Sequence, residues 1–243
     1  AFYTQRGAFN DKTLTIPDSI DYIGMGAFSG YKASKIVVDS ANEKYTSIED
    51  LVLTDKAKTV IWQYAIGNGR TEYTVPAGIN NIAGYSFSQS DNLQKVVLDS
   101  STITIGEKAF KNDINLKAIE NTEQVIVISN EAFMNTGLES FVISTNLDQI
   151  HAKAFKNTKL ENVYIPSSVI MIENEAFASN TKLKYVVVDA APNMSGDAFK
   201  NSDNLEYLVA LDENTKIIVN GDLELPTQAT LYVTSKAIEA TYE

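Results

Sequence analysis

The sequence predicts a repeat solenoid: a right-handed superhelix, mostly β with short helical or 3₁₀ turns, and a curved parallel sheet on one face. Three observations carry that expectation. The octet Ile105-Gly-Glu-Lys-Ala-Phe-Lys-Asn112 returns as Ile128-Ser-Asn-Glu-Ala-Phe-Met-Asn135, Ile150-His-Ala-Lys-Ala-Phe-Lys-Asn157, Ile172-Glu-Asn-Glu-Ala-Phe-Ala-Ser179 and Met194-Ser-Gly-Asp-Ala-Phe-Lys-Asn201. Its phenylalanines stand at 9, 28, 87, 110, 133, 155, 177 and 199, stepping by 23, 23, 22, 22 and 22 from Phe87 onward. A second ladder, Leu93, Leu116, Leu138, Leu160, Leu183 and Leu205, keeps the same register. Two ladders of one period mean units that bury their apolar faces only against their neighbours.

Each unit opens on a strand. Leu160-Glu-Asn-Val-Tyr-Ile165 alternates apolar and polar residues and is rich in β-formers, so Val163 and Ile165 point inward. Pro166 ends it, as Pro17 and Pro76 do at equivalent places, because proline cannot donate to a sheet ladder. Val169 and Ile172 then mark a short extended stretch on the opposite side. Glu175-Ala-Phe-Ala178 is too short for an independent helix and is expected to make one helical or 3₁₀ turn. Alanine there lets coils approach, and phenylalanine fills the space between them. Two residues beyond the ring stands Gly30, Asn112, Asn135, Asn157 or Asn201, types that tolerate the left-handed conformation closing such a turn. The recurring octet is a packed corner rather than a catalytic motif.

The period fails once, in the 59 residues between Phe28 and Phe87. Here Leu51-Val-Leu53 and Thr59-Val-Ile-Trp62 flank Thr54-Asp-Lys-Ala-Lys58, the pattern of a β-hairpin with a five-residue loop. Asn68-Gly69 signals a further turn, and the regular unit resumes at Tyr73-Thr-Val-Pro76. The expected organisation is a single solenoid over residues 1–243, with an inserted hairpin coil at 40–72 and a closing segment at 212–243. A hairpin merely added to a coil should be dispensable for folding, with Trp62 packing it onto the array.

Composition narrows the chemistry. A net charge of −11 and a pI near 4.6 argue against nucleic acid, whose phosphates would be repelled. The absence of cysteine removes disulfides, thiolate metal sites and thiol nucleophiles together. Apolar runs such as Val125-Ile-Val-Ile128 and Tyr207-Leu-Val-Ala-Leu211 are too short to span a bilayer. The single histidine, His151, occupies the slot held by Gly24, Gly106 and Glu173 in other coils and is expected to be an exposed turn residue. One histidine and no cysteine defeat the usual nucleophile–base pairs and nearly all zinc sites, so no catalytic residue, metal or cofactor is expected. Asp39, Asp99 and Asp189 recur just past the strand and are expected to accept backbone hydrogen bonds in turns. Carboxylates are numerous enough to keep a paired-carboxylate hydrolase as a rival.

These residues resemble the BspA-like leucine-rich repeats of bacterial surface proteins, whose unit is a Leu-x-x-Ile-x-Ile-Pro strand followed by x-x-Val-x-x-Ile-Gly-x-x-Ala-Phe. Tyr45-Thr-Ser-Ile-Glu-Asp-Leu-Val-Leu-Thr54 resembles the insertion of that group. Ala229-Thr-Leu-Tyr-Val233 with Ala237-Ile-Glu-Ala-Thr-Tyr242 resembles its closing segment. The resemblance implies a leucine-rich-repeat superhelix, an extracellular or cell-surface location with any leader lying outside these residues, and adhesion or binding duties without catalysis. It departs at one slot: the family often has cysteine three residues after the phenylalanine, where this chain has Asp113, Thr136, Thr158, Asn180 and Ser202.

The strand faces give the binding candidates. With every Leu, Leu+3 and Leu+5 inward, the outward rows are Leu+2 (Lys35, Glu72, Lys95, Ala118, Ser140, Asn162, Tyr185, Tyr207) and Leu+4 (Val37, Thr74, Val97, Glu120, Val142, Tyr164, Val187, Val209). Charges sit on the early coils. Tyr164, Tyr185, Val187, Tyr207 and Val209 gather on the last three and are the candidate contact surface for a protein or glycan partner of a monomeric chain. Strand propensity alone would also favour these types, and a passive spacer of a larger surface protein is the competing role.

Overall fold

The computed structural model describes residues 12–189, 192–211, 218–220 and 224–233. Over them the chain winds through about nine turns of a parallel-sheet solenoid. Phe9 and most of the expected closing segment at 212–243 lie outside the described residues.

The strands of each coil's first side stack in register, one coil apart. Thr13–Ile16 pairs with Lys35–Val38; Glu72–Thr74, Lys95–Val97 and Ala118–Glu120 form a second block. Asn162–Ile165, Tyr185–Val188, Tyr207–Ala210 and Thr230–Val233 form a third. A second side carries shorter parallel strands, Asn81–Ile82, Thr104–Ile105 and Val127–Ile128, then Gln149–Ile150, Met171–Ile172, Asn193–Ser195 and Ile218–Asn220. The extended stretch expected opposite the first sheet is therefore itself a hydrogen-bonded ladder. Its Ile82, Ile105, Ile128, Ile150 and Ile172 are buried, and their strand neighbours face out.

The corner differs from expectation: among the described residues there is no helix. Lys108, Glu131, Lys153 and Glu175, two residues before each phenylalanine, have φ of +54° to +59°, and Asn112, Asn135, Asn157 and Asn201, two after it, have φ of +53° to +65°. Left-handed residues recurring at this interval break any helical run into overlapping β-turns. Alternate amides close those turns, as Ala109 and Lys111 donate to Gly106 and Lys108 oxygens. The amides between them donate to the next coil: Lys108 to Asn130 O, Phe110 to Ala132 O and Asn112 to Met134 O, at 2.9–3.0 Å. The pattern repeats at Glu131, Phe133 and Asn135 and again at Lys153, Phe155 and Asn157, so the corner is a third coil-to-coil ladder. Side-chain amides extend it, with Asn157 Nδ2 donating to Asn135 Oδ1 and Asn135 Nδ2 to Asn112 Oδ1.

Within the corner the rings stack face to face. Phe87, Phe110, Phe133, Phe155, Phe177 and Phe199 follow one another with centroids 4.9–5.5 Å apart, all fully buried. Each ring lies between its neighbours, the arrangement that makes the repeat cooperative.

The insertion is larger than a hairpin. Tyr45–Ile48, Val52–Asp55 and Val60–Tyr64 form an antiparallel meander, and its last strand pairs in parallel with Asn81–Ile82. The tight loop is shorter than expected: Asp55 remains in its strand, and its carboxylate accepts the Thr59 and Val60 amides at 2.7 and 2.8 Å. Leu51, Val52, Leu53, Ile61, Tyr64, Ala65 and Ile66 are all core. These residues fill the interior of the array, so the insertion is part of the core rather than an appendage to it. Trp62 is half-buried and packs against that core, as expected.

Both main sheets are interrupted at the same coil. Phe141 takes the inward slot that other coils fill with Val96, Ile119, Val163, Val186 or Leu208, and its ring lodges 5.2 Å from Phe133 and 5.0 Å from Phe155. Residues 139–142 of this coil carry no strand, and the seam sets off the final block of coils.

Candidate recognition face

On that final block the outward rows meet as the sequence spacing requires. Asn162, Tyr185 and Tyr207 are register partners along one row; Tyr164, Val187 and Val209 are partners along the next. Tyr164 and Tyr185 are 49% and 42% exposed, and Val187, Tyr207 and Val209 are half-buried. All five candidate residues therefore share one surface. The Tyr185 and Tyr207 rings stack at 5.3 Å and 6°. Such a cross-strand pair fixes both rings at little entropic cost.

Two carboxylates pin the hydroxyls. Tyr164 donates to Asp189 Oδ2 at 2.8 Å, and Tyr185 to Glu206 Oε2 at 3.4 Å. The hydrogen bond to Asp189 pushes the Tyr164 pKa up, and the charge of Glu206 does the same for Tyr185. Thr230–Val233 extends the sheet beside Tyr207–Ala210 instead of folding across it.

The early coils present a different surface. Lys95 lies 3.4 Å from Glu72 and 3.7 Å from Glu120, so the charges of that block offset one another. On the second side Ile103, Ile126, Ile170 and Met171 are exposed, an apolar row that the reading of the first sheet did not single out. Ile103, Ile126 and Ile170 each stand two residues before an inward isoleucine, a position that Asn80 and Asp148 hold in two other coils, and Met171 directly precedes Ile172.

The polar residues picked from the sequence have structural partners. Asp39 and Asp99 accept the Ala41 and Ser101 amides at 2.9 and 3.0 Å, the turn role expected of them. The Ser101 amide, with that of Gly78, holds the Asp99 carboxyl below its usual range. Asp189 accepts from Tyr164. His151 is half-buried rather than exposed, because the same slot one coil on holds Glu173, whose Oε1 lies 3.2 Å from its Nδ1. Glu173 Oε2 also accepts the Ala152 amide. Among the described residues no group of three histidines, acids or cysteines is placed to hold a metal ion. Nor is any helix there long and apolar enough to cross a membrane.

The slot where the resemblance has cysteine is a buried polar ladder. Ser90, Asp113, Thr136, Thr158, Asn180 and Ser202 are all at most 2% exposed. Asn180 serves three coils: its Oδ1 accepts from Thr158 N, its Nδ2 donates to Phe155 O and Phe177 O, and its amide donates to Ser202 Oγ.

The fold agrees with known proteins similar to the chain. The BspA type leucine rich repeat region matches in six copies, over residues 3–59, 63–184 and 104–220. The chain belongs to that family. Among solved structures, a leucine-rich repeat protein from Eubacterium ventriosum is 24% identical, with a TM-score of 0.75 over 93% of this chain and 63% of its own. The pneumococcal vaccine antigen PcpA is 23% identical, with a TM-score of 0.62 over 93% of this chain and 52% of its own. A leucine rich cell surface protein from Faecalibacterium prausnitzii is 22% identical, with a TM-score of 0.57 over 79% and 46%. At such identities these neighbours share the fold. The chain spans just over half of PcpA and under two thirds of the Eubacterium protein. No curated protein matches it.

Proposed function

We propose that this BspA-type array is a non-enzymatic recognition module displayed at a bacterial cell surface. It binds a protein or glycan through Tyr164, Tyr185, Val187, Tyr207 and Val209, as a single solenoid acting as a monomer. The observation that carries the reading is the stacked, half-exposed Tyr185–Tyr207 pair, flanked by Tyr164 and two valines on an uninterrupted four-strand block. Tyrosines with fixed rings and polar tips supply contact area at low entropic cost, and a few such residues dominate most interfaces. Family membership and neighbours named as a cell surface protein and a vaccine antigen support the location.

Asp99 is engaged as a turn acceptor, and Glu131 and Glu175 pair with lysines, which favours a structural role for these carboxylates. Binding of the purified array to a glycan array and to host surface proteins, with and without Tyr185→Ser/Tyr207→Ser, tests the reading. A partner that the double variant holds as tightly as the wild type would remove this face from consideration. A chain that captured nothing would favour the spacer role.

A further inference from the structure

One rung of the buried polar ladder differs in kind. Ser90, Thr136, Thr158, Asn180 and Ser202 are neutral groups; Asp113 at the same slot is a carboxyl, fully buried. Its Oδ1 accepts the Ser90 amide at 2.8 Å, just as Asn180 Oδ1 accepts that of Thr158 at 2.6 Å. The other branch breaks the analogy. Asn180 Nδ2 donates to Phe177 O, three residues back, at 2.9 Å and to Phe155 O, one coil back, at 3.0 Å. Asp113 Oδ2 is the corresponding atom, and it is buried without accepting any hydrogen bond. By register the matching carbonyls are those of Phe110 and Phe87. The Phe110 oxygen takes the Asp113 amide and the Phe87 oxygen takes Ser90 Oγ. An ionised oxygen at the Nδ2 position would oppose carbonyl lone pairs, whereas a hydroxyl would donate to one.

We propose that Asp113 is held as the neutral carboxylic acid, its Oδ2–H donating into the corner carbonyls as the Asn180 amide does, and that loss of this proton unlatches the coils of Phe87 and Phe110. Burial raises its pKa well above the ordinary carboxylate value; the amides of Ser90 and Gln89 oppose that rise without cancelling it, and the charge of Asp91 adds to it. The titratable groups acting across this contact are Asp91, which pairs with Lys32, and Tyr64, whose hydroxyl lies 3.2 Å from Asn68 Oδ1. Neither is a cation that would stabilise the ionised form.

The sign of the pH dependence follows. The unfolded chain releases this proton near pH 4, and the folded chain keeps it to higher pH. Between those two values the folded state binds more protons, so stability falls as pH rises and levels off above the folded pKa. A one-proton difference changes the folding equilibrium constant by about tenfold per pH unit.

Denaturation of wild type and Asp113→Asn across pH, with a carbon-13 titration of the Asp113 carboxyl in the wild type, tests the proposal. The wild type should lose stability relative to Asp113→Asn at about that slope as pH rises from about 4, and the carboxyl should titrate far above other aspartates. Parallel stability profiles, or an Asp113 carboxyl already ionised at pH 5, would overturn it. If Asp113→Asn fails to fold, the wild-type titration alone decides.

Discussion

Tyr64 stacks on Phe87 with ring centroids 4.8 Å apart and planes 22° from parallel, so the insertion supplies a ring of the corner stack one coil before Phe87. Their separation in the chain is 23 residues, one full period. Tyr64→Phe should therefore be nearly neutral, while Tyr64→Ala should cost about 3–5 kcal/mol, the usual loss for removing a buried ring. Deleting residues 46–70 should abolish cooperative unfolding of the early coils. Chemical denaturation of the three variants checks this.

In the middle of the stack, Phe133→Ala or Phe155→Ala should likewise cost about 3–5 kcal/mol. His151→Ala, which removes only a half-exposed contact with Glu173, should cost less than about 1 kcal/mol. Urea midpoints in the reverse order would contradict the assignment of rings to core and histidine to surface.

Asn180→Ala leaves Thr158 N and Phe155 O without partners at once, while Phe177 O keeps the Ser202 hydroxyl. Each buried group left unpaired costs about 1–3 kcal/mol, so the loss should exceed that of Asn135→Ala at the half-buried amide ladder. Thermal melts of both variants make the comparison.

On the recognition face, Tyr185→Ser/Tyr207→Ser should weaken partner binding by about tenfold or more while leaving the far-ultraviolet spectrum unchanged. Changing Lys35 and Lys95 to serine should alter only a component that disappears at high salt. Titrations at two ionic strengths separate the two effects.

Acid should weaken the corner through Glu131. Burial pushes this carboxyl up, but the hydrogen bond and charge of Lys111, with Lys108 and Lys153, outweigh it and hold the pKa below the ordinary value. A depressed acid stabilises above its unfolded pKa of about 4.3 and loses that contribution as pH falls through the folded value. Lys111→Met should be less stable than wild type at neutral pH, with the gap closing near pH 2. This is the opposite sign to that of Asp113.

The fold was legible because one ring every 22 or 23 residues admits few arrangements, and the face followed from the two-residue period of a strand. The corner's conformation was not. Its left-handed residues include Lys108, Glu131, Lys153 and Glu175, types with no preference for that region, and the deciding hydrogen bonds run to the next coil. Tyr64 was hidden because its neighbours lack the Ala-Phe octet, although its spacing was visible. The bond between Tyr164 and Asp189 joins residues 25 apart through a loop, which no strand alternation specifies.

The turn-built corner also governs reach. A helix there would be about 10 Å across, against about 4.8 Å between strands, and would force the coils apart like the stones of an arch. Here the corner rings repeat every 4.8–5.5 Å, close to the strand spacing, so this edge inserts no wedge. Each duplicated coil would therefore add about one strand spacing at this edge, as it does at the sheets. Ten more would lengthen the array by about 50 Å.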